Sequence, residues 1–259
     1  MKRGTVFTIV GGLLCGLVLV WAWNWRGNPD ALWHIVSQQC VPNQQQQHKP
    51  DPCLAVDLEH GFTLLKDRNG PVHDLLIPVN KVTGIEEAAL GSQLLPHYFA
   101  QAWQHRNVLS DGLNKAIPDQ FVSVAINSRY GRTQNQLHVH IACLRPAVFA
   151  ALNQQSTTLD EQWRVLPTRL MGHTYSARTL PAADVDALDP FALLREYVQA
   201  RGDSMSQYGL LMTPRADGRL VLLTTHLAPG ELNRGSAEEL QDPHCDLMNP
   251  QQASLQRPL

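Results

Sequence analysis

The chain has 259 residues, with 21 Lys+Arg against 23 Asp+Glu and a formal net charge of −2. That balance excludes a chain-wide basic field for steering nucleic acid, and the sequence holds no acidic tail. The 44% hydrophobic fraction is too high for a disordered chain, and the polar remainder is too large for a multi-span membrane protein.

The first predicted element is an uncharged run from Gly4 to Trp23, GTVFTIVGGLLCGLVLVWAW. About twenty residues at ~1.5 Å rise cover roughly 30 Å, the thickness of a bilayer core. Lys2 and Arg3 precede the run, and Trp21, Trp23 and Trp25 close it where interfacial aromatics belong. This predicts one transmembrane helix within residues 1–27, with its start in the cytoplasm and the remainder of the chain outside. A cleaved signal peptide is the competing reading, but the bulky Trp-Ala-Trp-Asn-Trp offers no small-x-small cleavage site.

Beyond the run, Leu32, Ile35 and Val36 lie at helical spacing and predict a short amphipathic helix over Asn28–Cys40. The Gln-rich stretch around Gln44–Gln47 reads as loop. GFTLLKD (Gly61–Asp67) and HDLLIPVN (His73–Asn80), separated by Arg68-Asn69-Gly70-Pro71, read as a hairpin. Ser92–Leu109 reads as a helix closed by Asp111-Gly112. Strands are predicted over Phe121–Ile126 and Leu137–Leu144, flanking a polar loop from Asn127 to Thr133, with a helix from Pro146 to Leu152. The last third is a weaker echo: a strand near Thr174–Leu180, a helix over Pro190–Gln199, and a hairpin turning at Ala216-Asp217-Gly218. With no regular βαβ repeat, the class is α+β with a mostly antiparallel sheet. It forms one unit over 28–246, which two similar halves could build, followed by a polar tail over 247–259.

Outside the apolar run, which holds Cys15, the cysteines are Cys40, Cys53, Cys143 and Cys245, and four allow three pairings. Cys40 and Cys53 bracket a polar, Pro-containing loop that needs a tether, so a bridge is expected there. Cys143 with Cys245 would then tie a central strand to the C-terminal region. Four buried thiols are the alternative. The absence of CxxC spacing argues against a four-cysteine zinc site.

The chemistry concentrates at His138 and His140. On a strand, residues i and i+2 share a face roughly 6–7 Å apart, while Leu137, Val139 and Ile141 supply the buried face. Upstream, NSRYGRTQNQ offers Arg129 and Arg132 as fork-shaped donors for phosphate oxygens, with Asn127, Gln134 and Gln136 as neutral donors. Three readings meet here: histidines on a solvent face, zinc ligands with a third from His173, His226 or His244, and a histidine nucleophile acting on phosphorus.

The stretch GRTQNQLHVHIACLRP resembles the histidine-triad (HIT) motif, His-apolar-His-apolar-His-apolar-apolar. Aligned on Gly131 and Thr133, the triad falls on Gln136, His138 and His140. CVPNQQQ, LKDRNGP, AINSRYGRTQN and RGSAEELQD further resemble the CDP-diacylglycerol pyrophosphatases, a membrane-anchored bacterial family of the HIT-like superfamily, over most of the chain from Val36 to Cys245. The departure is Gln136, which can hydrogen-bond but cannot titrate.

The resemblance implies a HIT-like fold and hydrolysis of CDP-diacylglycerol to CMP and phosphatidate. Neutral His138 would be the nucleophile, and a protonated His140 would sit beside the phosphate. Arg129, Arg132 and Gln134 would hold diphosphate oxygens with Asn127, Ser128, Thr133 and Gln136 nearby, and Lys66 and Asp67 lie where HIT proteins contact the nucleotide. A shifted register, with His138 first, His140 as nucleophile and Ala142 third, is the alternative. The scheme implies no metal or other cofactor, a lipid substrate, no nucleic-acid partner, and a catalytic domain on the periplasmic side of the inner membrane. The oligomeric state is left open. Two other functions fit the same residues: hydrolysis or nucleotidyl transfer on soluble CDP-alcohols, and a tethered, non-catalytic module for phospholipid headgroups.

Overall fold

The structure, a computed structural model, describes residues 27–92, 94–154, 159–180 and 189–249. The predicted anchor and the tail beyond residue 249 lie outside the described residues. Among those described, no helix is long and apolar enough to cross a membrane.

The chain opens with α1 (Ala31–Ile35), which runs through a π-helical turn (Val36–Cys40) into α2 (Val41–Gln47). The Gln-rich stretch is therefore helix, not loop. Gln is a good helix former, Pro42 sits in the first turn where its missing N–H costs nothing, and His48 ends the helix with a left-handed φ of 55°. The predicted single helix over Ser92–Leu109 is instead two short ones, α3 (Tyr98–Gln104) and α4 (Val108–Leu113). Pro96 disfavours helical backbone at the residue before it.

Strands β1 (Ala55–Asp57), β2 (Phe62–Lys66), β3 (His73–Pro78), β4 (Val122–Ile126) and β5 (Val139–Leu144) form the first half. After α5 (Pro146–Gln154) come β6 (Arg164–Val165), β7 (Ser176–Thr179), α6 (Pro190–Ala200), β8 (Tyr208–Pro214), β9 (Leu220–Ala228), β10 (Asn233–Arg234) and β11 (Gln241–Asp242). They make one sheet in the order β1-β2-β3-β5-β4-β8-β9-β7-β6, with β10 on β9 and β11 on β5, and each named pair is antiparallel. Both predicted hairpins form, β2–β3 and β8–β9, and Gly218 supplies the φ of +80° that the second turn requires. Both expected disulfides are present, Cys40–Cys53 and Cys143–Cys245.

One face of the sheet carries the larger core. Phe62, Leu64, Leu76, Val124, Ile126, Val139 and Ile141 pack there against Tyr98 and Phe99 of α3, Leu109 of α4, and Phe191, Leu194 and Val198 of α6. Each fully buried side chain of this size contributes about 1.5–3 kcal/mol. The other face has two separate covers. Val36 and Cys40, with Leu32 and Ile35 beside them, pack on Leu65, Leu75 and Ile77. Val148 and Leu152 of α5 pack on Ala125, Leu144, Leu211 and Leu223. Register places Leu65, Leu75, His140, Ala125, Leu211 and Leu223 in one cross-strand row. His140 stands in that row where the two apolar covers leave a gap.

Candidate active site

Period-two alternation puts His138 and His140 on the gap side and Val139 and Ile141 in the large core. The two rings are 4.8 Å apart at an interplanar angle of 68°, with His138 8% and His140 4% exposed. They line a cavity of about 340 Å³.

The environment behind each ring differs. His138 Nδ1 donates to the Gln136 carbonyl at 2.7 Å, which leaves Nε2 with the lone pair. His140 Nδ1 meets His73 Nε2 at 2.9 Å, and His140 Nε2 lies 3.4 Å from Glu238 Oε2. A carboxylate beyond Nε2 favours a proton there, making Nδ1 the acceptor of the His73 Nε2–H. Burial pushes the His138 pKa below its ordinary value, opposed by the Gln136 carbonyl and the charges of Glu238 and Asp67. His140 is pushed well below its ordinary value, first by burial and then by the neighbouring His138 and His73. Both effects disfavour the protonated His140 that the resemblance implies. The buried row gives its charge no water, and two imidazoles compete for the same proton.

Gln136 does not face the cavity. It is fully buried, its Nε2 donates to the Pro78 and Asn80 carbonyls at 3.0 and 2.8 Å, and its Oε1 accepts from Val82 N. Gln136 therefore ties the β3 exit to the segment that carries His138 and His140. Ser128 is likewise internal: its Oγ donates to the Arg234 carbonyl and accepts from the backbone of Tyr130 and Gly131. Lys66 lines the cavity, but its Nζ is turned to buried Asp74, its cross-strand partner, at 3.0 Å. Arg129 is exposed and lies outside the cavity lining. Arg132 lines the cavity, but both terminal nitrogens are held by Glu86 at 2.6 Å, leaving Nε without a partner. A pair this well formed holds the Glu86 carboxyl below its ordinary range despite burial.

Asp67, Asn127, Thr133 and Gln134 do line the cavity. Gln134 also grips the start of α1, accepting from Leu32 N and donating to the Asn28 carbonyl, both at 3.1 Å. Asn127 clamps Glu238: its Nδ2 donates to Oε2 at 2.8 Å and its Oδ1 accepts the Glu238 N–H at 3.1 Å. The segment before Glu238 fits closely. Gly235 has φ +69°, and a Cβ there would fall 2.6 Å from the Gln207 carbonyl oxygen.

Sequence reasoning missed four residues. Glu238 and Arg68 line the cavity, while His73 and Gln241 support His140 from behind, Gln241 Nε2 donating to the His140 carbonyl at 3.3 Å. Arg68 and Glu238 stood inside the LKDRNGP and RGSAEELQD segments without a role. The apolar wall from Leu32, Ile35, Leu65 and Leu75 was legible only as core.

The proposed third zinc ligands are not brought to the pair. His173 binds Glu239 at 2.8 Å, His226 stacks on Tyr208 at 5.4 Å, and His244 is also absent from the cavity lining. Asp67, His73 and His140 each place a ligand atom within 4.8 Å of the others. An ion between the facing nitrogens would have to replace the His73–His140 hydrogen bond.

The family model for CDP-diacylglycerol pyrophosphatase matches residues 27–249. The chain belongs to the CDP-diacylglycerol pyrophosphatase family. A Yersinia pestis protein named CDP-diacylglycerol pyrophosphatase is 43% identical over 221 residues, covering 85% of this chain and 86% of the relative. Among solved structures, a DUF4931 family protein of Bacillus cereus aligns over 79% of this chain and 100% of its own, at 12% identity and a TM-score of 0.42. Within the family match lie all the residues of the cavity, from α1 to Glu238.

Proposed function

We propose that this chain hydrolyses CDP-diacylglycerol to CMP and phosphatidate, with His138 attacking the cytidylyl phosphorus. The observation that carries the nucleophile is the Nδ1–H to Gln136 carbonyl bond, which fixes the tautomer and leaves the Nε2 lone pair available from a ring kept neutral by burial. His140 supports the same register, because its two nitrogens already face His73 and Glu238. Its Nε2–H can instead donate to a phosphoryl oxygen as charge develops there. The arrangement resembles that of the HIT motif, with glutamine in the first triad position.

The cavity has two chemistries. Leu32, Ile35, Leu65 and Leu75 offer an apolar wall for the pyrimidine, with the Asp67 carboxylate beside it as acceptor for ribose hydroxyls. Arg68, exposed on the lining and without an ion pair among the described residues, supplies charge for the diphosphate, and Thr133 and Gln134 supply neutral donors. Attack forms the P–Nε2 bond, and phosphatidate departs as a phosphate monoester that needs little acid assistance. Positioning and charge stabilisation carry most of the barrier reduction.

The same reading assigns Gly4–Trp23 to a single inner-membrane span with the catalytic domain in the periplasm. A tether of this kind keeps the cavity at the surface where acyl chains hold the substrate. The test of function is CMP release from CDP-diacylglycerol in detergent by the wild type and His138→Ala, with thermal melts to check folding. Loss of release in a folded variant supports the assignment, and near-normal turnover overturns it.

A further inference from the structure

We infer that Glu238 is the general base of the second half-reaction, a role that rests on the nucleophile reading above. Among the carboxylates of the cavity it alone contacts a catalytic imidazole among the described residues, at 3.4 Å from His140 Nε2, and its charge reaches His138. Asn127 occupies its Oε2 and its backbone N–H, so the side chain cannot swing away. Its Oε1 has no hydrogen-bond partner among the described residues, and the residue lines the cavity partly exposed. The other carboxylates have other work. Glu86, outside the lining, is held by Arg132, and Asp67, whose carboxylate comes within 4.8 Å of a His140 nitrogen, caps its own turn through Asn69 N at 2.7 Å.

The strand architecture fixes this placement. Glu238 rides the turn Ala237–Leu240, whose continuation β11 pairs with β5, and Cys245 is bonded to Cys143 three residues beyond His140. The carboxylate is thus referenced to the strand that carries both histidines.

Once phosphatidate has left, the intermediate is cytidylyl-His138, a phosphoramidate whose ring is cationic because both nitrogens are substituted. Water then attacks phosphorus. The new P–O bond forms as the P–Nε2 bond breaks, the bonding pair returns to Nε2, and the water proton passes to Glu238 Oε1. The next turnover begins after that proton is lost to solvent with CMP. A carboxylate oxygen can take the water proton, whereas His140 is already committed as a donor.

The experiment is a rapid-mix time course of Glu238→Gln against wild type with CDP-diacylglycerol in detergent, quenched in denaturing alkali because phosphoramidates hydrolyse in acid. Phosphatidate and CMP are counted separately. Gln keeps the acceptor that Asn127 needs, so the fold is retained. The expected result is a phosphatidate burst of one per enzyme, a covalent adduct that accumulates, and CMP release slowed roughly 10²–10⁴-fold. In Glu238→Ala, added formate should restore CMP release without altering the burst. Equal slowing of both products, with no adduct, overturns the base assignment while leaving the nucleophile intact. An absent adduct in wild type together with an active His138→Ala overturns the nucleophile reading itself, and the two failures are distinguishable.

Discussion

At the scale of single residues, the two histidines of the HxH motif take different roles because different groups stand behind them. His138 backs onto a carbonyl and keeps a free lone pair, whereas His140 is bracketed by an imidazole and a carboxylate. The depressed pKa of His138 has a kinetic consequence. A nucleophile must be unprotonated, so the acid limb of kcat/KM should fall below pH 6.5 rather than at it, and a pH–rate profile checks this. A second prediction separates the arginines. Arg68→Ala should raise KM about tenfold, the ~1.4 kcal/mol expected from one lost charge-assisted contact, while Arg129→Ala leaves KM near wild type. Steady-state kinetics of the two variants decides between them, and the reverse order would return the diphosphate to Arg129. The HxH pair was legible because alternation alone dictates that i and i+2 share a face. The partners of Arg132 and Lys66 were not, since Glu86 and Asp74 reach them through folding rather than through local spacing.

At the scale of elements, the segments that matter are short and cross-braced. Gln136→Ala would strip partners from two carbonyls and one N–H in the buried junction between β3 and β5. Each buried group left unpaired costs about 1–3 kcal/mol, so a clear drop in melting temperature is expected with a parallel loss of turnover. The two disulfides should differ in their effects. Serine replacement at Cys143 and Cys245, 102 residues apart, should cost about 2–4 kcal/mol and lower CMP release as well, because Glu238 loses its tether to the catalytic strand. Serine at Cys40 and Cys53 should lower stability with a smaller effect on kcat, since that bridge closes only the α1–β1 cover. Denaturant melts and kinetics on both pairs check the contrast. Strands, hairpins and the helix over Pro190–Ala200 were legible from period and turn residues. The α2 helix was not, because a polar, Gln-rich surface helix and a polar loop have the same composition.

At the scale of the whole molecule, the strands before Arg145 and those after it join at β4–β8 and β5–β11 into one sheet, and the cavity sits between the two helical covers on a single face. No sequence pattern announces a gap, which exists only because the α1 and α5 covers stop short of each other above His140. Burying neutral imidazoles there has a cost in acid. Both folded pKa values lie below the unfolded value, so below pH 6.5 the unfolded chain binds more protons than the native one. Stability should therefore be full above pH 6.5 and fall as pH drops through it toward the depressed folded values. Replacing His140 by Asn should flatten that fall in a pH series of melts.

The central claim is that a phosphorus–nitrogen bond to His138 lies on the reaction path. Its most direct test is peptide mapping of the enzyme after rapid alkaline quench during turnover of CDP-diacylglycerol. The expected result is a cytidylyl group on the peptide containing His138, located at that residue. An adduct on His140, or a chemically competent adduct on any other residue, would contradict it.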